Sequence, residues 1–149
     1  MTTYSGLYYH LIWSTKTRAG LISETIENKL HAYMAGIVQG NKGTAIQIGG
    51  MSDHVHLLVR LNPDQNISDL VKAVKVASSK WLKETSSDFY NSSWQNGFGA
   101  FSVSKSQTNI VKEYILKQKE HHKIRGFDEE WLNFLKSHNI QYIEKFVFG

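Results

Sequence analysis

The chain has 149 residues, 41% hydrophobic and 12% aromatic, with 17 Lys and Arg against 13 Asp and Glu for a net charge of +4. This composition suits one folded domain and excludes a disordered or collagenous chain. No stretch nears the roughly 20 apolar residues of a membrane span, Met1-Thr2-Thr3-Tyr4 opens without a basic segment and apolar run, and there is no cysteine. The expectation is a soluble, cytoplasmic protein of one domain over 1–149, without disulfides, thiolate metal sites or cysteine nucleophiles.

Residues 4–15 alternate, with Leu7, Tyr9, Leu11 and Trp13 on one side and Tyr8, His10 and Ile12 on the other, which predicts a strand buried on both faces. Ser23 is placed to cap a helix in which Ile26, Leu30, Met34, Ile37 and Val38 recur every three or four residues, and Gly40 to end it. Thr44–Met51 and His54–Leu61 predict a hairpin around Ser52-Asp53, closed by Pro63. A second amphipathic helix follows, with Ile67, Leu70, Val71, Val74, Ser78, Trp81 and Leu82 inward and Lys72, Lys75, Lys80 and Lys83 largely outside that stripe. Residues 94–104 predict a strand with a bend at Gly97 and Gly99, and residues 108–125 a helix stopping at Gly126. Asp128 is placed to cap a short last helix with Trp131, Phe134 and Leu135 inward. The order strand, helix, strand, strand, helix, strand, helix predicts an α+β fold, an antiparallel sheet with helices packed on it in a ferredoxin-like or RRM-like sandwich.

Two groupings carry chemistry. His54-Val55-His56 starts a predicted strand, so both imidazoles leave the same face, roughly 7 Å apart at the backbone, while Val55 and Leu57 point into the core. Read alone, such a pair is equally a polar, solvent-facing row. Tyr114 and Gln118 stand four apart on one helical face, where Tyr114 also suits a core aromatic. Together, two imidazoles, an amide oxygen and a phenol can surround a divalent cation and a nucleophile with positions left open for phosphate oxygens.

The arrangement resembles the HUH-type single-tyrosine transposases, the IS200-like enzymes of insertion sequences that move as single-stranded DNA. The resemblance rests on Gly50-Met51-Ser52-Asp53-His54-Val55-His56-Leu57-Leu58-Val59, on Trp94 to Ser104, and on Tyr114-Ile115-Leu116-Lys117-Gln118 followed by His121-His122. It extends to Tyr9-His10-Leu11-Ile12-Trp13 and to Phe127-Asp128-Glu129-Glu130, with Lys117 where a polar amide is expected. It implies Tyr114 as nucleophile, and His54, His56 and Gln118 as ligands of Mg²⁺ or Mn²⁺ in preference to zinc. It also implies a 5′-phosphotyrosine intermediate, single-stranded DNA with imperfect hairpins as partner, and a homodimer whose sites are completed across the interface. The residues identify no general base for a phenol of ordinary pKa about 10.

His121 and His122 follow Gln118 by three and four residues and are candidates for support around the ligands. The positive surplus lies in residues 64–126, with ten basic against six acidic side chains. Lys72, Lys75, Lys105, Lys112, Lys117, Lys119 and Arg125 are candidate DNA contacts. Two other functions compete: a non-catalytic or domesticated single-stranded-DNA or hairpin-binding protein of the same fold, and a metal hydrolase using His54, His56 and Glu113 or Glu120.

Overall fold

A computed structural model describes residues 3–123 and 125–149. Met1 and Thr2 of the opening segment, and Ile124 of the predicted third helix, lie outside the described residues. Strands β1 (Leu7–Ser14), β2 (Thr44–Met51), β3 (His54–Leu61) and β4 (Gly99–Val103) form one antiparallel sheet in the order β2-β3-β1-β4. Helices α1 (Glu24–Gly40) and α2 (Ile67–Thr85) cover one face, and α3 (Thr108–Leu116), α4 (Gln118–His121) and α5 (Phe127–Ser137) the other.

Strand alternation divides the side chains as the pattern requires. Leu11, Trp13, Val55, Leu57 and Val59 join Leu30, Met34, Val38, Leu70, Val74 and Leu82 in the larger core, beneath α1 and α2. Ile12 and Phe101 join Phe127, Trp131 and Leu135 in a smaller cluster on the opposite face. The two-residue turn at Ser52-Asp53 sets the hairpin register, pairing Gly49 with His56 and Met51 with His54. Gly50 stands there at φ 157°, where a Cβ would lie 2.2 Å from the His54 carbonyl oxygen.

One cross-sheet row positions the site. Gly49, His56, Ile12 and Gly99 are successive register partners and share a face. A Cβ on Gly49 would meet the Ile115 carbonyl oxygen at 2.8 Å, and one on Gly99 would meet the Trp131 ring at 2.9 Å. The bare backbone at these two places lets α3 and α5 descend on either side of His56, so the histidine face is roofed rather than open to water.

Several expectations need correction. The strand over 94–104 shortens to Gly99–Val103, because Gln95 takes over the pairing before it: its N–H donates to the Ser14 carbonyl at 2.9 Å and its Oε1 accepts from the Ser14 N–H at 2.7 Å. The single helix over 108–125 breaks at Lys117 (φ −99°, ψ 19°) into α3 and α4, where the Gln118 side chain is drawn into polar contacts below. Helix α5 starts from Gly126 rather than Asp128, whose carboxylate instead pairs with Arg18 at 2.9 Å. Gly40 is the last residue of α1, and Asn41 closes the helix by donating from Nδ2 to the Ile37 carbonyl. Ser23 occupies the cap position of α1 but bonds to the Thr25 hydroxyl.

Candidate active site

The two histidines of β3 are fully buried, not solvent-facing, and both rings point into the space between the sheet and α3, α4 and α5. Gln118, displaced by the break at Lys117, brings its Oε1 to 2.8 Å from His54 Nε2. His122 brings Nε2 to 3.1 Å from the same oxygen. Glu130, on α5, enters from the other side: its Oε1 lies 3.0 Å from His56 Nε2, 3.3 Å from His122 Nε2 and 3.5 Å from His54 Nε2. Its Oε2 accepts from Gln118 Nε2 at 3.1 Å and from the Tyr114 hydroxyl. Tyr114, half-buried, thus shares one carboxylate with the histidine pair of its own chain. Within one chain, therefore, the phenol, the two imidazoles and the amide converge on a single carboxylate.

Two further side chains orient the imidazoles. His54 Nδ1 lies 2.7 Å from the Asp53 carboxylate, in the hairpin turn. His56 Nδ1 lies 2.8 Å from Nε2 of His10, a buried residue of β1. His121 stacks on the Tyr114 ring at 4.6 Å between centroids, while His122 faces the carboxylate.

The electrostatics follow from burial and from one acid among imidazoles. Burial pushes His56 down to about 4 against the upward pull of Glu130, and burial followed by the nearby His56 pushes His10 well below the usual imidazole range. Burial tends to raise the Glu130 carboxyl, but hydrogen bonds from His122 and His56, together with the electrostatic pull of His56 and His54, hold it far below the usual carboxylate range. Burial and then the Glu130 charge raise the Tyr114 phenol above its ordinary value. The ground state is therefore a protonated phenol donating to a carboxylate.

The donor set fits a divalent cation. Both nitrogens of His54 face oxygen acceptors, and a neutral imidazole has one N–H to give. With Nδ1–H donating to Asp53, the Nε2 lone pair faces the Gln118 oxygen, a contact that a second proton or a shared cation satisfies. Gln118 Oε1 lies 2.8 Å from His54 Nε2 and 3.1 Å from His122 Nε2, and Glu130 Oε1 lies 3.3 Å from His122 Nε2 and 3.5 Å from His54 Nε2, close to the roughly 3 Å between neighbouring donors of an octahedral ion with bonds of about 2.1 Å, while His56 Nε2 meets this set through Glu130 Oε1 at 3.0 Å. Among the described residues, His54, His122 and Glu130 form a group of metal-ligating type.

Sequence reasoning located His54, His56, Tyr114 and Gln118 but missed Glu130 and His10 as members of the site. Glu130 had a readable signal: with Phe127, Trp131 and Phe134 it falls at the spacing of one apolar helix face, where an acid needs a partner. Among the basic candidates, Lys75 donates to the backbone carbonyls of Gln95 (2.9 Å) and Gly97, and Lys119 pairs with Glu27 at 2.7 Å. Both are committed within the fold. Lys72, Lys105, Lys117 and Arg125 are exposed and Lys112 half-buried, and Arg125 lines a surface cavity with Tyr114, Glu130 and Asn133. Glu113 and Glu120, the acids of the hydrolase alternative, are exposed and absent from the cluster.

Comparison with known proteins bears on the family and the fold. A family model described as "Transposase IS200 like" matches residues 3–118, a span that stops at Gln118 and leaves Glu130 outside. The ISDra2 transposase TnpA of Deinococcus radiodurans is 32% identical over 119 residues, covering 75% of this chain and 84% of that protein. A crystal structure of a candidate transposase from Deinococcus radiodurans R1 aligns with a TM-score of 0.64 and 27% identity, covering 79% of this chain and 95% of that one. A REP-associated tyrosine transposase bound to a REP hairpin shares the fold, with a TM-score of 0.60 at 14% identity over 82% of this chain and 74% of that one.

Proposed function

The chain belongs to the IS200-like transposase family, and on that premise we propose that it cleaves and rejoins single-stranded DNA at ends marked by imperfect hairpins, through a 5′-phosphotyrosine on Tyr114. The observation that carries this reading is the meeting, within one chain, of the Tyr114 hydroxyl with His54, His56 and Gln118 around a single carboxylate.

In this reading His54, His56 and Gln118 would hold Mg²⁺ or Mn²⁺, with Glu130 and His122 completing the donor set. When bound, such an ion would supply Lewis-acid neutralisation of the charge on the phosphate oxygens. The rest falls to the chain's own groups. Asp53 keeps His54 turned with Nε2 inward, and the stacked His121 fixes the plane of the Tyr114 ring. Arg125, at the mouth of the cavity that Tyr114 lines, draws the phosphodiester toward the phenol. The bond from Tyr114 Oη to phosphorus forms as the bond from phosphorus to O3′ breaks. The phenol proton passes along its hydrogen bond to Glu130 and on through water to O3′ as that oxygen leaves, so Glu130 relays the proton without retaining it and none is gained or lost overall. The ester energy is kept in the phosphotyrosine, so a 3′-hydroxyl can reverse the step without a nucleotide cofactor.

Lys72, Lys105, Lys112, Lys117 and Arg125 provide the remaining DNA contacts in this reading. The homodimer implied by the resemblance, with sites completed across its interface, belongs to it as well. Incubation with 3′-labelled, hairpin-bearing single strands and Mn²⁺ should give a covalent protein–DNA adduct, lost in Tyr114→Phe and suppressed by EDTA. Hairpin binding that withstands EDTA, with no adduct from the wild-type protein under any metal condition, would replace this reading with that of a non-catalytic hairpin-binding protein.

A further inference from the structure

We propose that His10 is a positioning residue for His56, a reversible hydrogen-bond partner that lets His56 turn its Nε2 from the Glu130 carboxylate to a bound cation without losing its anchor. The proposal rests on the metal reading above and adds to it a role for a side chain on a different strand.

The placement follows from register. Ile12 is the direct partner of His56 and His10 that of Leu58, so His10 stands diagonally from His56 on the same sheet face. Their ring centroids are 5.0 Å apart, His10 Nε2 lies 2.8 Å from His56 Nδ1, and His10 and His56 are 3% and 0% exposed. The edge of Phe134 closes on His10 at 5.2 Å. A buried imidazole fixed in this way is not a surface histidine that happens to touch its neighbour.

The proton count sets the role. Carboxylate oxygens only accept, so His56 carries its N–H on Nε2, directed at Glu130, and its bare Nδ1 accepts from His10 Nε2–H. Binding a cation through His56 Nε2 requires that lone pair, which moves the ring proton to Nδ1. His10 must then accept at the same nitrogen with which it had donated, holding its own proton on Nδ1. Each ring keeps one proton, so the charge of the pair is unchanged. His10 borders a surface cavity with Ser102, Gln107 and His138, which offers polar surroundings for the proton on its other nitrogen.

His54 differs. Its Nδ1 partner is Asp53, a pure acceptor, so its Nε2 lone pair is presented inward whenever the ring is neutral. One imidazole is set permanently for the ion and the other is switchable. The switch works only if the second partner can both donate and accept. A carboxylate or an ammonium at position 10 could not.

The test measures Mn²⁺ affinity by titration calorimetry on the full chain, with thermal melting to establish folding. His10→Leu should weaken binding about 10- to 100-fold, the range for loss of a ligand's supporting hydrogen bond. His10→Gln, whose amide can rotate to donate or accept, should restore most of it. Nitrogen NMR of the histidine rings in the wild-type protein should show His56 protonated on Nε2 without metal and on Nδ1 with saturating Mg²⁺, a readout that does not depend on catalysis or on any variant folding. Wild-type Mn²⁺ affinity in a folded His10→Leu protein, or a His56 tautomer that does not change while Mg²⁺ binds, would overturn the role of His10 alone. A wild-type protein that binds neither ion would overturn the metal reading beneath it.

Discussion

The two faces of one sheet do different work with alternate residues of the same strands. Beneath α1 and α2, Val55, Leu57 and Val59 of β3 meet hydrocarbon on every side. On the other face, His54 and His56 meet an amide, a carboxylate and further imidazoles, with a smaller apolar cluster beside them. Dispersion and burial hold the first face, where each buried methylene counts. Desolvated polar groups hold the second, where each is useful only while its partners remain satisfied. The difference teaches that residues adjacent in sequence can be probed separately, since a side chain's parity along β3 decides which property it controls.

The largest effect expected comes from breaking that division at neighbouring positions. Leu57→Ala should cost about 2–5 kcal/mol of stability by opening a cavity in the dry face, while adduct formed per folded molecule stays near wild type. His56→Ala should cost less, about 1–3 kcal/mol for the hydrogen bonds left open at His10 and Glu130, and should lower Mn²⁺ affinity by at least about 100-fold. Urea denaturation and calorimetry read the two separately. Equal losses of metal binding in both variants would show that the faces are not independent.

Acid should separate the faces next. His56 is pushed down to about 4 by burial, against an ordinary value near 6.5, so below pH 6.5 the unfolded chain takes up its proton more readily than the folded one. Its contribution is complete above pH 6.5 and is lost as the pH falls toward 4, a change on the order of 3 kcal/mol from this ring alone. Denaturant midpoints in EDTA should drop across that window for wild type and Leu57→Ala alike, since the hydrocarbon face has nothing to titrate. A flat profile from pH 7 to 4 would place protonated imidazoles in the folded state.

Gly49→Ala should act at the boundary between the faces. Its Cβ would press on the Ile115 carbonyl and side chain, forcing α3 outward for about 1–3 kcal/mol of overpacking. Tyr114 precedes Ile115, so a shift near 1 Å there should cost adduct formation up to about 100-fold, well beyond the loss of stability. Adduct yield that falls only in step with the folded fraction would show that the position of the phenol tolerates such a shift.

The parts of this design that were legible in the sequence are those governed by a single period. Alternation along β1 and β3 separated Leu11, Trp13, Val55 and Leu57 from His54 and His56, and the four-residue step joined Tyr114 to Gln118. What escaped was set by contacts between distant segments. Glu130 lies 12 residues beyond Gln118 on another helix, within an apolar stripe that reads as core, and its value depends on histidines that only the fold brings to it. His10 gains its role from the β1–β3 register. Gln95 imitates a strand residue with its side-chain amide, which no propensity encodes, and the break at Lys117 occurs without a Pro or Gly to announce it.

The smallest effect expected is at Lys119, and it tests whether basic residues near the site serve DNA or the fold. Its ammonium reaches Glu27 on α1 at 2.7 Å and Glu24 at 3.9 Å, and those carboxylates raise its pKa, yet half of the side chain is exposed. A pair this open to water is screened, so Lys119→Ala should change stability by less than about 0.5 kcal/mol. Because its charge is spent on α1, the variant should also keep the salt slope of hairpin binding, whereas Arg125→Ala, at the mouth of the Tyr114 cavity, should reduce that slope by about one. Filter binding of a labelled hairpin across a series of salt concentrations distinguishes the two. Equal slopes for both variants would return Lys119 to the DNA surface and make its ion pair with Glu27 a contact that DNA displaces.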